Sequence, residues 1–209
     1  MIMKLENYLK VRLKKKLPGI IEQNKMSPIP LKNGYLKSIK KDHKIGGVLI
    51  IFYKKNNEFY FPLIKRSNKL KNHSSQISFP GGRFEEEDLN LINTALRESN
   101  EEIGLEVKNN NILGKLTQIY IPASNYKVSP FIAFYDKTPQ FKLNSFEVDK
   151  LIEIKINQIL DQSNILKKKI KLSSGVLVDC PYYFLNGYTV WGATAMILSE
   201  LCAILKEKF

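Results

Sequence analysis

One run of the chain, residues 81–105, constrains the structure more than any other. It reads GGRFEEED, then LNLINTAL, then RESNEEIGL, so a glycine pair precedes a helical pattern that ends in three glutamates, Glu98, Glu101 and Glu102. Like charges four residues apart cost about 0.2–0.5 kcal/mol per pair in a helix, and acids in the last turn oppose the helix dipole by about 0.3–1 kcal/mol each. A helix with both penalties is expected to hold something positive there, and a divalent metal ion is the simplest candidate.

The residues that follow the glycine pair are predicted to form a helix over residues 88–103. Apolar or small side chains recur at spacings of four, three and four, which places them on one helical face: Ile92, Leu96, Ser99 and Ile103. The three glutamates project from a neighbouring face. Gly104 is well placed to end the helix, because glycine readily adopts the left-handed conformation that often closes one.

The three glutamates have the spacing of a metal site. Glu98 and Glu102 are four residues apart and Glu101 follows Glu98 by three, so all three carboxylates are able to reach one ion or a pair of ions. Carboxylate oxygens are suitable ligands for Mg²⁺ or Mn²⁺. Three acids alone more often form a solvated helix face, and this alternative stays open. Arg97 is expected to pair with Asp88 and so to tie the glycine loop to the helix.

The rest of the chain has the pattern of one α/β domain with a mixed sheet, because groups of strands alternate with helices. Residues 1–40 are expected to form an amphipathic helix and a proline-containing connector that pack on a domain spanning residues 41–209. Strands are predicted at residues 46–54 and 59–65, which form a hairpin, and at 77–79, 113–120, 127–135, 148–156 and 182–184. A short helix is predicted at residues 156–160 and a closing helix at 191–206.

Charge and composition narrow the class of partner. The chain has 209 residues, a net charge of +13 and two cysteines, Cys180 and Cys202, which predict buried thiols in a reducing compartment. The charge favours a polyanionic ligand. However, the lysines are scattered, and the short runs at 14–16 and 167–169 lack the interleaved aromatic residues of a single-strand platform, so nucleic acid is not the expected partner.

Membrane association is not expected either. No stretch of about 18 apolar residues predicts a membrane span. The N-terminal helix is expected to pack on the domain rather than to lie on a lipid surface, although its amphipathic pattern leaves that alternative open. The chain is therefore expected to be cytoplasmic.

The glycine, the early acid, the Arg-Glu pair and the Glu-Glu-x-Gly ending together resemble the Nudix box, which forms a loop–helix–loop. Two features depart from the general pattern: the early acid is Asp88 instead of glutamate, and the gap from Asp88 to Arg97 is one residue longer. Both departures are features of one subfamily, the coenzyme A diphosphatases, which the chain therefore resembles. Ser99 stands where a small or aliphatic residue is usual.

Segments outside the box extend this resemblance over about residues 46–205. Upstream, Arg66-Ser67, the basic Lys71 and the sequence FPGG at residues 79–82 are similar to the segment that marks coenzyme A Nudix enzymes, with Lys71 in place of an arginine. Downstream, the EV pair at residues 147–148 and the sequence WGATA at residues 191–195 resemble two further segments of the subfamily.

The resemblance implies an α/β/α sandwich and a metal-dependent hydrolase. Its substrate would be coenzyme A or an acyl derivative, cleaved at the diphosphate to 3′,5′-ADP and the 4′-phosphopantetheine half, with Mg²⁺ or Mn²⁺ as cofactor. Other substrates are alternatives: ADP-ribose, a dinucleoside polyphosphate or a nucleoside triphosphate. A non-catalytic Nudix module that binds RNA or protein is a further alternative, and a homodimer is left open.

The resemblance also implies the catalytic roles. Glu98 and Glu102 would be the primary metal ligands, Glu101 would share the ion or hold a second one, and a backbone carbonyl near Gly82 would complete the shell. Arg97 belongs to the same catalytic set. The general base would be one of the box glutamates or Glu147, which a later loop brings in.

Substrate contacts are expected from the upstream segment. Arg66 is expected to bind a phosphate, because arginine suits bidentate phosphate contacts. Gly81 and Gly82 would let the backbone approach the ligand closely, since no Cβ intervenes. Lys69 and Lys71 are candidates for the 3′-phosphate.

Overall fold

The computed structural model describes residues 2–31, 39–69, 75–171 and 175–208. The α-helices in these ranges are α1 (Ile2–Arg12), α2 (Ile20–Asn24), α3 (Leu91–Ile103), α4 (Ile156–Leu160) and α5 (Gly192–Lys206). The strands are β1 (Lys44–Lys55), β2 (Glu58–Arg66), β3 (Ile77–Ser78), β4 (Gly81–Arg83), β5 (Ile112–Lys115), β6 (Ile119–Ile121), β7 (Tyr126–Tyr135), β8 (Val148–Lys155), β9 (Ile165–Lys171), β10 (Leu177–Leu185) and β11 (Tyr188–Val190).

The larger sheet is mixed. Strands β3, β2, β1, β7 and β5 follow one another in this order, while β4 pairs with β1, β6 with β7 and β8 with β2. Strands β1 and β7 are parallel, from Lys44 opposite Tyr126 to Tyr53 opposite Tyr135, and the other pairs are antiparallel. A parallel pair needs a long crossover connection, and α3 lies in this connection, which places the helix across one face of the sheet.

The predicted hairpin is confirmed. Strands β1 and β2 pair antiparallel up to Lys55 opposite Glu58. Asn56 and Asn57 join them with φ values of 50° and 63°. Positive φ at both central residues is what a type I′ turn requires, and asparagine tolerates it well.

Helices cover both faces of the larger sheet. Side chains of β1 alternate between the two faces, so that Ile50 and Phe52 contact the core shared with α1 and α5, whereas Leu49 and Ile51 contact the core under α3. This arrangement is an α/β/α sandwich with a mixed sheet, and the predicted fold class is confirmed.

The N-terminal helix packs on this sandwich. Leu5 and Leu9 of α1 are 1% and 0% exposed and belong to the core that contains α5. Arg12 at the end of α1 forms an ion pair with Glu207, with Nε and Oε2 2.7 Å apart. In the described ranges, no helix has both the length and the apolar character needed to cross a bilayer.

Two strands replace the single strand predicted at residues 113–120. The interruption lies at residues 116–118, between β5 and β6. The main-chain N–H of Thr117 donates to the buried carboxylate of Glu200 at 3.2 Å and does not continue the ladder. A buried acid on α5 therefore ends β5, which local sequence patterns do not show.

A second sheet contains strands β11, β10 and β9 in this order. The strand predicted at residues 182–184 lies in the C-terminal half of β10, but the sequence does not predict β9 or β11. Strand β9 has the sequence ILKKKIK and is mostly exposed. Its lysines hide the apolar alternation by which strands are recognised.

Candidate active site

The glycine pair forms β4, which is pressed against β1. Gly81 has a φ of +144°, which side chains rarely adopt, and a Cβ there would overlap the carbonyl oxygen of Gly47. Gly82 pairs with Gly47 in the ladder, and a Cβ on Gly47 would meet the carbonyl oxygen of Leu91 in α3. Glycines in both strands therefore let the loop, the sheet and the helix approach one another closely.

Helix α3 begins at Leu91, so the prediction that it begins at Asp88 is wrong. Asp88 instead ends a 3-10 helix over Glu86–Asp88. The side-chain oxygen of Asn90 accepts the main-chain N–H groups of the second and third helical residues, both at 3.0 Å. This cap satisfies donors that the helix start would otherwise leave unpaired, and it fixes the first residue of the helix.

Asp88 and Arg97 form the expected ion pair. Arg97 Nε donates to Asp88 Oδ1 at 2.7 Å and Nη2 donates to Oδ2 at 3.0 Å. Asp88 Oδ2 also accepts hydrogen bonds from the hydroxyl of the buried Thr94 and from the main-chain N–H of Glu85, both at 2.9 Å. Hydrogen bonding, chiefly from Arg97, lowers the pKa of Asp88 to about 2. The pair ties the loop to α3. Thr94 belongs to the same hydrogen-bond network, which the sequence does not predict because threonine inside a helix gives no distinct signal.

Arg97 also contacts the acids of the last turns. Its Nη1 lies 3.2 Å from Glu98 Oε1 and 3.1 Å from Glu101 Oε2. Its Nη2 donates to the carbonyl oxygen of Arg83 at 3.1 Å. One guanidinium therefore offsets part of the negative charge on α3 and fixes the helix to β4.

Glu102 is the most deeply buried of the three glutamates. Its side chain is 1% exposed, and Oε2 accepts the main-chain N–H of Gly81 at 2.8 Å. Arg66 Nη1 donates to Oε1 at 3.2 Å. Burial nevertheless raises the pKa of Glu102 to about 8, because the Gly81 and Arg66 contacts offset only part of the cost of desolvation.

Glu98 lies directly against the glycine loop. Its side chain is 15% exposed, and a Cβ on Gly82 would overlap its carboxylate. Burial raises the pKa of Glu98, and the charges of Glu101 and Glu147 add to this effect. The missing side chain at Gly82 is therefore what makes room for this carboxylate.

Glu101 lies further out. Its side chain is 49% exposed and contacts Arg97. In the part of the chain that the structure describes, no three His, Cys, Asp or Glu side chains are arranged as a ready metal cage. Each of the three glutamates instead contacts an arginine: Arg66 lies against Glu102, and Arg97 lies against Glu98 and Glu101.

Glu98 and Glu102 still fit a divalent cation. Both are carboxylates, which Mg²⁺ and Mn²⁺ prefer. Glu102 is buried and Glu98 is partly buried, and in both cases desolvation raises the pKa. The Glu98 carboxylate occupies the space that a side chain at residue 82 would fill. A Cβ on Gly46 would overlap the carbonyl oxygen of Gly82, so this carbonyl faces β1. The two carboxylates are therefore the better ligands.

The predicted substrate-binding residues differ in how close they lie to the glutamates. Arg66 lies in the site, and its buried Nε has no hydrogen-bond partner. Lys69 is exposed, and its main-chain N–H donates to Ser67 Oγ at 3.2 Å. Lys71 lies outside the described residues. Among the predicted substrate contacts, the fold therefore brings the side chain of Arg66 and the backbone of Gly81 and Gly82 next to the glutamates.

Glu147 is brought to the site from the segment before β8. Its carbonyl oxygen accepts the main-chain N–H of Ser67 at 2.8 Å, which fixes it beside the end of β2. Its charge contributes to the raised pKa of both Glu98 and Glu102. The Glu147 carboxylate therefore lies close enough to those of Glu98 and Glu102 for their charges to interact, although 45 residues separate Glu102 from Glu147 in the sequence.

Comparison with known proteins agrees with this geometry. The NUDIX domain family matches residues 43–170, a span that includes the glycine pair, α3 and Glu147. The "Uncharacterized Nudix hydrolase NudL" of Yersinia pestis (strain Pestoides F) is 32% identical over 139 residues, which are 66% of this chain and 69% of that protein.

Two solved structures share the fold. The MutT/nudix family protein from Enterococcus faecalis has a TM-score of 0.53 at 12% identity, with 80% of this chain and 62% of that chain covered. The MutT protein from Methanosarcina mazei Go1 has a TM-score of 0.52 at 18% identity, with 82% and 99% covered. Such identities speak for the fold alone, whereas the family match and the Yersinia pestis relative concern the sequence itself. The chain belongs to the Nudix hydrolase family.

Proposed function

We propose that this Nudix hydrolase cleaves the diphosphate of coenzyme A or an acyl derivative, with Mg²⁺ or Mn²⁺, to 3′,5′-ADP and 4′-phosphopantetheine or its acyl form. The position of Glu102 carries the proposal, because its carboxylate contacts both Arg66 and the N–H of Gly81. Arg66 and Gly81 stand near opposite ends of the segment that resembles the marker of coenzyme A enzymes. One carboxylate of the Nudix box thus contacts residues near both ends of that segment.

Glu98 and Glu102 would hold the cation, and Glu101 stands at the rim, where it would share the ion or hold a second one. When bound, the cation would neutralise charge on the diphosphate and acidify a coordinated water. The ion pair between Asp88 and Arg97 fixes the glycine loop relative to α3. Glu98 and Glu102 would thereby keep their relative positions. Preorganisation of this kind lowers the cost of placing charged groups around a phosphate.

Glu147 is our choice for the general base. Arg66 and Arg97 contact the box glutamates, whereas Glu147 Oε1 accepts a hydrogen bond from a neutral donor, Asn144 Nδ2, at 3.3 Å. Glu147 would take a proton from the attacking water while the water oxygen bonds to phosphorus and the phosphoanhydride P–O bond breaks. The leaving phosphate keeps the electron pair of that bond.

Arg66 would bind the diphosphate. Its contact with Glu102 uses one of the five N–H donors of a guanidinium, and its buried Nε has no partner in the structure. A buried donor without a partner is costly, and a phosphate oxygen would satisfy it. Lys69 remains our candidate for the 3′-phosphate because it is exposed two residues after the buried Ser67.

The test is a side-by-side assay of the purified chain with Mg²⁺ on coenzyme A, ADP-ribose and dATP, with products identified by mass spectrometry. We expect fastest turnover of coenzyme A, with 3′,5′-ADP and 4′-phosphopantetheine as products. Equal or faster turnover of ADP-ribose would overturn the substrate assignment. Arg66→Lys should raise KM for coenzyme A by about tenfold because the planar fork is lost, whereas Arg12→Lys, remote from the site, should not change it.

Binding of single-stranded nucleic acid is a second candidate, because pairing of β9 with β10 places Lys168 Nζ 5.3 Å from the centre of the Tyr182 ring. The lysine run at residues 167–169 thus has an aromatic neighbour that its own sequence does not show. If hydrolysis is the function, affinity for a single-stranded oligonucleotide should be weak and should vanish as salt rises. Tight binding at high salt without hydrolysis would favour the binding module.

A further inference from the structure

The segment 142–147 closes the end of the metal-binding helix. Gly104 ends α3 in the left-handed conformation, with a φ of 64°, as the sequence predicts. The main-chain N–H of Lys142 then donates to the carbonyl oxygen of Ile103 at 2.8 Å, and that of Asn144 donates to the carbonyl oxygen of Glu102 at 3.0 Å. Carbonyls at a helix end lack partners within the helix, so this segment fixes the backbone of Glu102.

Asn144 also organises the turn that carries Glu147. Its carbonyl oxygen accepts the main-chain N–H groups of Glu147 at 3.0 Å and Val148 at 2.8 Å. Its side-chain Oδ1 accepts the N–H of Phe146 at 3.1 Å. Its Nδ2 donates to Glu147 Oε1 at 3.3 Å. One residue therefore contacts the backbone of Glu102 and both the backbone and the carboxylate of Glu147.

We infer that Asn144 is a positioning residue that sets the Glu147 carboxylate relative to Glu102. This inference rests on the proposed function, in which Glu147 is the base and Glu102 a metal ligand. Ser67 adds a second anchor, since its N–H donates to the carbonyl oxygen of Glu147 at 2.8 Å. The turn is thus fixed at both of its ends, and Asn144 is the part of it that touches the carboxylate.

The amide side chain suits this position for a specific reason. Asparagine offers an acceptor and a donor on one short side chain, and Asn144 uses the acceptor on Phe146 and the donor on Glu147. Aspartate would keep the acceptor but would place a negative oxygen against Glu147, which would push that carboxylate away. Alanine would remove both contacts while leaving the main-chain hydrogen bonds of residue 144 in place.

The test is a double-mutant cycle with Asn144→Asp and Glu147→Gln, in the full chain with Mg²⁺, on coenzyme A. We expect Asn144→Asp to lower kcat by at least about tenfold and to leave KM within about twofold, because misplacement of a catalytic group acts on the chemical step. In the Glu147→Gln background the same substitution should have little further effect, since the group it positions is gone. Asn144→Ala should lose less kcat than Asn144→Asp, and Asn110→Asp, in the exposed 3-10 helix over Asn109–Asn111, is the control for added charge.

Each outcome has one meaning. Equal losses of kcat from Asn144→Asp in both backgrounds, or a full kcat in the single variant, would overturn the inference. If ADP-ribose rather than coenzyme A is hydrolysed, the substrate proposal fails, and the same cycle on ADP-ribose still decides the role of Asn144. A chain that hydrolyses no nucleoside diphosphate derivative would overturn both proposals.

Discussion

The main-chain N–H of Gly81 donates a 2.8 Å hydrogen bond to the buried carboxylate of Glu102. The two residues belong to different elements, β4 and α3, and their contact joins the glycine loop to the last turn of the helix. A buried carboxylate is stable only when donors or cations surround it. The position of the glycine loop and the ionisation of Glu102 therefore depend on each other.

Glu102→Gln should reduce hydrolysis by orders of magnitude while the protein stays folded. The amide keeps the shape of the side chain but removes the charge that a divalent cation needs. Steady-state rates with Mg²⁺, together with thermal unfolding, measure both effects. Glu106→Gln changes an exposed acid just beyond α3 and serves as the control. Unchanged hydrolysis in Glu102→Gln would refute the metal assignment.

Alanine at the two loop glycines should have different consequences. The three atoms nearest to a Cβ on Gly82 all belong to the Glu98 carboxylate, the end of a flexible side chain, so Gly82→Ala should displace Glu98 and impair activity with little loss of stability. A Cβ on Gly81 meets the backbone of β1, so Gly81→Ala should destabilise the fold itself, by about 1–3 kcal/mol. Urea unfolding and kcat, measured on both variants, separate the two effects. A Gly82→Ala variant with full activity would contradict this reading of Glu98.

The Asp88–Arg97 pair should make stability depend on pH in the acid range. The folded pKa of Asp88 is about 2 and its ordinary value is 3.8, so the carboxylate contributes stability that is fully present above about pH 4. This stabilisation is lost as the pH falls from the unfolded pKa through the folded pKa, because protonation removes the negative charge with which Asp88 binds Arg97.

Asp88→Asn measures this contribution. Urea unfolding near pH 7 should show the variant less stable by about 2 kcal/mol, a difference that corresponds to the lowered pKa. The difference should shrink toward zero between pH 4 and pH 2. Glu87→Gln, an exposed neighbour, should match the unsubstituted chain across that range. A difference that is constant with pH would show that Asp88 stabilises the loop by shape and not by charge.

Manganese binding should raise the unfolding temperature. A ligand that binds only the folded state stabilises it by about 2.7 kcal/mol at a concentration of 100 times Kd, and about 2–4 °C per kcal/mol is expected for a chain of this size. Glu98→Gln and Glu102→Gln should each reduce the shift strongly, whereas Glu101→Gln should reduce it less, since Glu101 is exposed and paired with Arg97. An unfolding temperature of the unsubstituted chain that does not change with Mn²⁺ would contradict the proposed metal site.

The local sequence determined the parts of this protein whose contacts are near in the chain. The β1–β2 hairpin follows from two apolar runs around Asn56-Asn57, and α3 follows from its apolar face and Gly104. The Asp88–Arg97 pair follows from its spacing across the start of the helix. In each case the partners are separated by few residues, so loop closure costs little and local preference is sufficient.

Only the tertiary structure decided which distant groups meet. Arg66 reaches Glu102 across 36 residues, Asn144 connects Glu102 to Glu147, and Glu200 of α5 ends β5 by binding Thr117. These contacts depend on how the sheet and helices pack, and the residues involved give no periodic signal of their own. The sequence therefore predicts the candidate catalytic side chains, whereas packing sets the charge around each one, because burial and the nearest positive charge determine whether a glutamate is protonated or ionised.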